Sequence, residues 1–126
     1  MNPTSRLLIV RGLGISRSLV GLSALLHPQL ANLSLGLGHT TGPDGGTAAR
    51  MFGIRDATIG GATLNPDPTI QTTGLRLGLI SDTVDVASVL LGRRAALNSV
   101  GTLLTAGAAA LFALAGAAAL ASPPNA

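Results

Sequence analysis

The chain contains no cysteine, lysine, glutamate, tryptophan or tyrosine. Each absence removes a class of chemistry. Without cysteine there are no disulfides, thiolate metal sites or thiol nucleophiles. Without lysine and glutamate, all side-chain charge outside the two histidines rests on arginine and aspartate. Two phenylalanines are the only aromatic rings, so the stacking platforms that hold single-stranded nucleic acid are missing. A formal net charge of +3 would suit a polyanion, but the arginines are scattered and only Arg93 and Arg94 adjoin. No nucleic-acid partner is expected.

Charge of either sign is scarce. Ten per cent of the residues are charged, against roughly 25% in ordinary soluble domains. Mean hydropathy is +0.53 and 47% of residues are hydrophobic. A chain of 126 residues is long enough for one domain, and a small soluble domain has to cover a large surface with polar groups. This chain lacks the groups to do so. Arg11 and Arg17 interrupt the first apolar stretch, so a cleaved leader is not expected.

What is present is a set of long apolar segments. From Ala95 onward there is no charged side chain, and Val100 to Ala121 reads VGTLLTAGAAALFALAGAAALA. That is about the 20 residues needed to cross a bilayer, and Ser122-Pro123-Pro124 closes it. Gln71 to Gly92 has spanning length but carries Arg76, Asp82 and Asp85. Along one stripe it shows Gly74, Gly78, Ser81, Asp85, Ser88 and Gly92, all small or polar, with Asp82 beside them. In lipid such a stripe turns inward, because small residues let helix backbones approach and polar groups need partners.

Thr47 to Leu64 forms another span. Gly53, Ala57 and Gly61 repeat at intervals of four, a ladder for close helix packing, with Asp56 and Gly60 on the same side. Leu7 to Leu26 is the first span, with Gly14, Ser18 and Gly21 and with Arg11 and Arg17, and Pro28 disfavours helix at His27. The following ANLSLGLG reads as an interfacial segment or a short helix. HTTGPDGGT, from His39, is a turn-rich loop, and NPDP at Asn65–Pro68 is a tight turn that makes the flanking spans antiparallel neighbours. The expected fold is an all-α, integral membrane four-helix bundle, a single domain over 1–126 with spans at about 7–26, 47–64, 71–92 and 100–121. Both termini then lie on one side, and the loops with Arg50 and Arg93-Arg94 lie on the cytoplasmic side.

Charged residues inside such spans need a reason. A central Arg or Asp costs about 2.5–3.5 kcal/mol on the insertion scale, and a central Leu or Ile returns only about 0.3–0.6 kcal/mol. Arg55 and Asp56 therefore need partners. Arg55 lies nine residues before Leu64 and Asp82 eleven after Gln71, so they share a depth. Arg17 is also near mid-span. Arg17, Arg55, Asp56, Asp82 and Asp85 are expected to form one buried polar layer, with Arg55 pairing Asp82. Two cations face three anions, so one aspartate is expected to hold a proton, shared between Asp82 and Asp85. Arg55 and Asp56, about 100° apart around a helix, can address two neighbouring helices at once.

No catalytic constellation stands out. His27 and His39 sit at a helix end and in a loop, with no matching ligand set, so neither metal nor other cofactor is expected. RGLGIS and GPDGG lack the spacing of a phosphate-binding fingerprint. The elements ARMFGIRDATIGGATL and GLISDTVDVASVLLGRRAA, followed by the Ala-rich helix, resemble a family of small four-helix integral membrane proteins of unknown function, and are broadly similar to DoxX-like membrane proteins. The matching positions are Arg50, Gly53, Arg55, Asp56, Asp82 and Asp85, with a shorter element at Gly21, Leu25, Leu26 and Pro28. The resemblance implies fold and membrane location and carries no activity.

Two functions follow as expectations. The first is a non-enzymatic structural or accessory bundle in the lipid bilayer, self-associating or joining a membrane-protein partner through its small-residue faces. The alternative is a proton-linked carrier of a small solute that uses Asp56, Asp82 and Asp85. An enzyme acting on a lipid or quinone is a third, less favoured reading.

Overall fold

The computed structural model describes residues 1–34, 46–92 and 100–122, and the described residues are almost entirely helical, with no strand among them. His39, Arg93, Arg94 and the two closing prolines lie outside them. Five helices follow in order: α1 Pro3–Leu26, α2 Pro28–Ser34, α3 Thr47–Leu64, α4 Pro68–Leu91 and α5 Val100–Ala121.

Two starts lie earlier than the apolar pattern indicates, and both have the same cause. Asn2 accepts a hydrogen bond from the Ser5 amide at 2.7 Å, with Pro3 at the first helical position. Asp67 accepts from the amides of Thr69 and Ile70 at 2.7 and 3.2 Å, with Pro68 following. A side-chain cap followed by proline is the strongest local start signal a helix can have. It extends α1 by four residues before Leu7 and α4 by three before Gln71. Hydropathy registers only the apolar part.

α1 breaks at His27, whose φ of −128° and ψ of 63° are non-helical, as a residue before proline favours. The chain restarts at once as α2, which takes in the first residues of ANLSLGLG; the rest of that segment and nearly all of the turn-rich HTTGPDGGT lie outside the described residues. α1 and the Leu103–Ala121 part of α5 are long and apolar enough to cross a membrane, by length and composition. α3 and α4 have 18 and 24 residues but fall short on composition, because Arg50, Arg55 and Asp56 lie in one and Arg76, Asp82 and Asp85 in the other.

α1 and α3 pack backbone to backbone. A Cβ at Gly53 would stand 2.7 Å from the Gly21 carbonyl oxygen, and one at Gly60 2.8 Å from the Gly14 oxygen. A Cβ at Gly21 would in turn fall on the backbone of Gly53 and Ala57. The ladder on α3 is therefore Gly53, Ala57 and Gly60. Gly61 points away into open space and is exposed, a correction to the four-residue spacing. A run of strict fours drifts off a helix face at 3.6 residues per turn, and the step of three to Gly60 brings the row back.

α4 packs on α3 where a Cβ at Gly74 would meet the Thr63 backbone nitrogen at 2.6 Å. Small residues at these seams let the axes approach. Val10, Leu13, Leu75 and Ala119 form the core cluster, flanked by Ile9, Phe112, Ala115 and Leu120. The stripe on α4 faces inward only in its first part. Gly74 and Gly78 are buried, Ser81 and Asp85 half-buried, and Ser88 and Gly92 exposed.

Candidate functional site

The five charged residues singled out in the sequence come together. Arg17 of α1 donates from Nη1 to Asp56 Oδ1 of α3 at 3.3 Å and from Nη2 to Asp82 Oδ2 of α4. Nη2 also lies 3.4 Å from the Gly78 carbonyl oxygen. Arg55 of α3 makes a bidentate pair with Asp85 of α4, at 3.1 and 2.7 Å. Its Nε stands 3.6 Å from Asp56 Oδ1, an ion-pair distance beyond hydrogen-bond length.

The result is an alternating chain: Asp82, Arg17, Asp56, Arg55, Asp85. Arg17, Asp56 and Asp82 are each 3% exposed. Arg55 and Asp85 side chains are 34% and 29% exposed, so the chain runs from a sealed end to an open one. Arg17 ties α1, α3 and α4 at a single guanidinium. Arg55 and Asp56 address two neighbours, as their angular separation requires: Asp56 meets α1 and Arg55 meets α4.

The expected Arg55–Asp82 pair does not form. Arg55 takes Asp85 and Asp82 belongs to Arg17. Depth along the helix was not the reason, since Gly74 lies beside Thr63 and the same antiparallel register places Asp82 level with Arg55. Azimuth decides instead. Asp82 and Asp85, three residues apart, are separated by about 60° around the helix, so Asp82 turns toward α1. The long arginine side chain then reaches one turn further to Asp85. Asp82 and Asp85 therefore end opposite ends of the ion chain rather than sharing one place.

Three features escaped the sequence reading. The two phenylalanines, the only aromatic residues of the chain, both lie against these arginines. The Arg17 guanidinium is 5.0 Å from the Phe112 ring centroid and that of Arg55 is 5.0 Å from Phe52. Their rarity was the available signal, because a ring face attracts a desolvated cation. Gly78 serves as a seat: a Cβ there would come within 3.2 Å of Arg17 Nη2. The third is a cleft.

The cleft has a volume of about 610 Å³. Leu19 and Ala24 of α1, Leu30 of α2, and Leu104 and Ala108 of α5 help form apolar walls. Asp56, Asp82 and Asp85 border it together with Phe52 and Phe112, and His27 lies at its rim. On the other side of Arg17 the residual void is about 10 Å³, room for about one water at most. Among the described residues no group of three His, Cys, Asp or Glu side chains is placed to hold a metal ion.

No family model, curated protein or solved structure matches the chain. Its site is read from its own chemistry.

Proposed function

We propose that the protein is a multi-pass membrane protein in which α1, α3, α4 and α5 cross the bilayer, and that it is a non-enzymatic structural or accessory bundle. The supporting observation is an inverted distribution of side chains. Among the described residues 24 large apolar side chains are exposed, Leu8, Leu26, Met51, Leu91, Val100 and Leu111 among the most, while Arg17, Asp56 and Asp82 are buried. A water-soluble bundle of this size has the opposite pattern. In lipid the outer apolar faces are solvated, and the ion chain lets α3 and α4 enter by neutralising most of their charge against α1 and each other.

The absence of native cysteine makes the topology directly testable. Single cysteines at Asn2 and Pro66 should label with an impermeant maleimide from one face of sealed vesicles, and those at Thr47 and Gly92 from the other. Labelling of Thr47→Cys and Pro66→Cys from the same face would mean that α3 does not cross.

A second reading, a proton-linked carrier, is favoured by one specific observation: three carboxylates border the open cleft. Vesicles reconstituted with the protein and an internal pH dye separate the two. No proton flux supports the accessory role. Flux that disappears in Asp82→Asn or Asp85→Asn establishes the carrier and displaces it.

A further inference from the structure

We infer that the cleft between α1, α2 and α5 is a binding site for a monovalent organic cation with an apolar body. The inference rests on the membrane reading and gives the carboxylate-bordered cleft a ligand class. It stands on three properties found together: volume, wall chemistry and charge.

A volume of about 610 Å³ lies within the range of small-molecule sites, about 300–1,000 Å³. The walls are hydrocarbon, from leucine and alanine side chains such as Leu19, Leu104 and Ala108, so the body of the ligand is apolar. The polar border is Asp56, Asp82 and Asp85, the three aspartates of the alternating ion chain. With the carboxylates ionised, the formal sum of that chain is one negative charge that no protein cation among the described residues pairs. The surplus belongs to the chain as a whole, since both Asp85 oxygens accept from Arg55, and it is nearest the cleft's open side at the half-buried end, where the Asp85 side chain is 29% exposed.

Other occupants fit worse. A hard divalent ion such as calcium or magnesium takes six or more oxygen ligands, and among the described residues no three His, Cys, Asp or Glu side chains are placed to hold a metal ion. An anion would meet the surplus negative charge. An acyl chain, or a helix from a second copy, would fill the apolar space but leave the carboxylate edge facing hydrocarbon, which costs free energy. A single positive charge on a bulky apolar frame satisfies both the border and the walls, to which Phe52 and Phe112 add hydrocarbon surface.

The test uses the purified full-length chain in lipid nanodiscs, with tetraphenylphosphonium as probe and tetraphenylborate as a control of the same shape and opposite charge. The phosphonium should bind saturably and the borate should not. Ala108→Phe fills the cleft without altering any charge and should weaken phosphonium binding by about tenfold or more. Asp85→Asn removes the surplus charge and should do the same, while Leu111→Phe, on an exposed part of α5 outside the cleft, should leave binding unchanged. Equal uptake of both ions, or phosphonium binding indifferent to Ala108→Phe, overturns the inference. So does a bound lipid or a second copy that shields the cleft and excludes the probe. If the cysteine-labelling pattern holds and the phosphonium does not bind, only the cation site is lost and the membrane reading survives.

Discussion

The two ends of the bundle are built from the same few residue types and behave differently. Toward the 65–67 turn, α1 and α3 meet through Gly14 and Gly60, Gly74 sits on Thr63, and Val10, Leu13 and Leu75 close on Ala119. Arg6 adds a hydrogen bond to the Ala119 carbonyl at 3.3 Å. Toward His27, α1 and α3 are still in backbone contact at Gly21 and Gly53, but the space in front of α5 is open. The ion chain marks the boundary, with Phe112 on both sides of it: flanking the packed cluster and lining the cleft. Small residues allow close approach, but approach closes a space only where a complementary side chain fills it. Leu75 does so on one side. On the other, the inward positions of α4 are Asp82 and Asp85.

The largest expected effect tests the boundary. Arg17→Ala leaves Asp82 buried without a direct cation and Asp56 with only the Arg55 Nε at 3.6 Å, and should destabilise the bundle by about 3–5 kcal/mol. Folded, monodisperse protein in mild detergent should drop sharply. Replacing Asp56 and Asp82 by asparagine in the same background should recover much of it, since the stranded charges are then gone.

Next comes the contrast between the halves. Leu75→Ala, in the packed cluster, should cost about 2–5 kcal/mol. Leu104→Ala, on the wall of the cleft, should stay within about 0.5 kcal/mol. Denaturant unfolding in a fixed detergent measures both, and equal losses would mean that the cleft is packed as tightly as the core.

The smallest effect sharpens the assignment of partners. Arg55 and Asp85 should show a coupling of about 1 kcal/mol in a double-mutant cycle, modest because the pair is one-third exposed. Arg55 and Asp82 should be close to additive. The reverse result would restore the pairing expected from depth alone.

Much of this was legible in the residues themselves. Apolar runs, the Pro28 break and the NPDP turn locate the helices to within a few residues, because these are local signals; the caps at Asn2 and Asp67 are equally local, but the apolar pattern does not register them. The five members of the ion chain were legible too. Few ionic residues occur within the apolar runs, and unpaired ionic groups are costly in lipid and in a core alike.

What tertiary structure alone decided is who meets whom. Depth follows from counting residues, but azimuth depends on how each helix is rotated when Gly53 and Gly60 seat on α1 and Gly74 on α3. That rotation gave Asp82 to Arg17 and Asp85 to Arg55, retired Gly61 in favour of Gly60, and turned both phenylalanines onto guanidinium groups. The cleft likewise belongs to no single stretch of chain. It is the space left when five helices settle against one another, and a one-dimensional pattern carries the helices without the gaps between them.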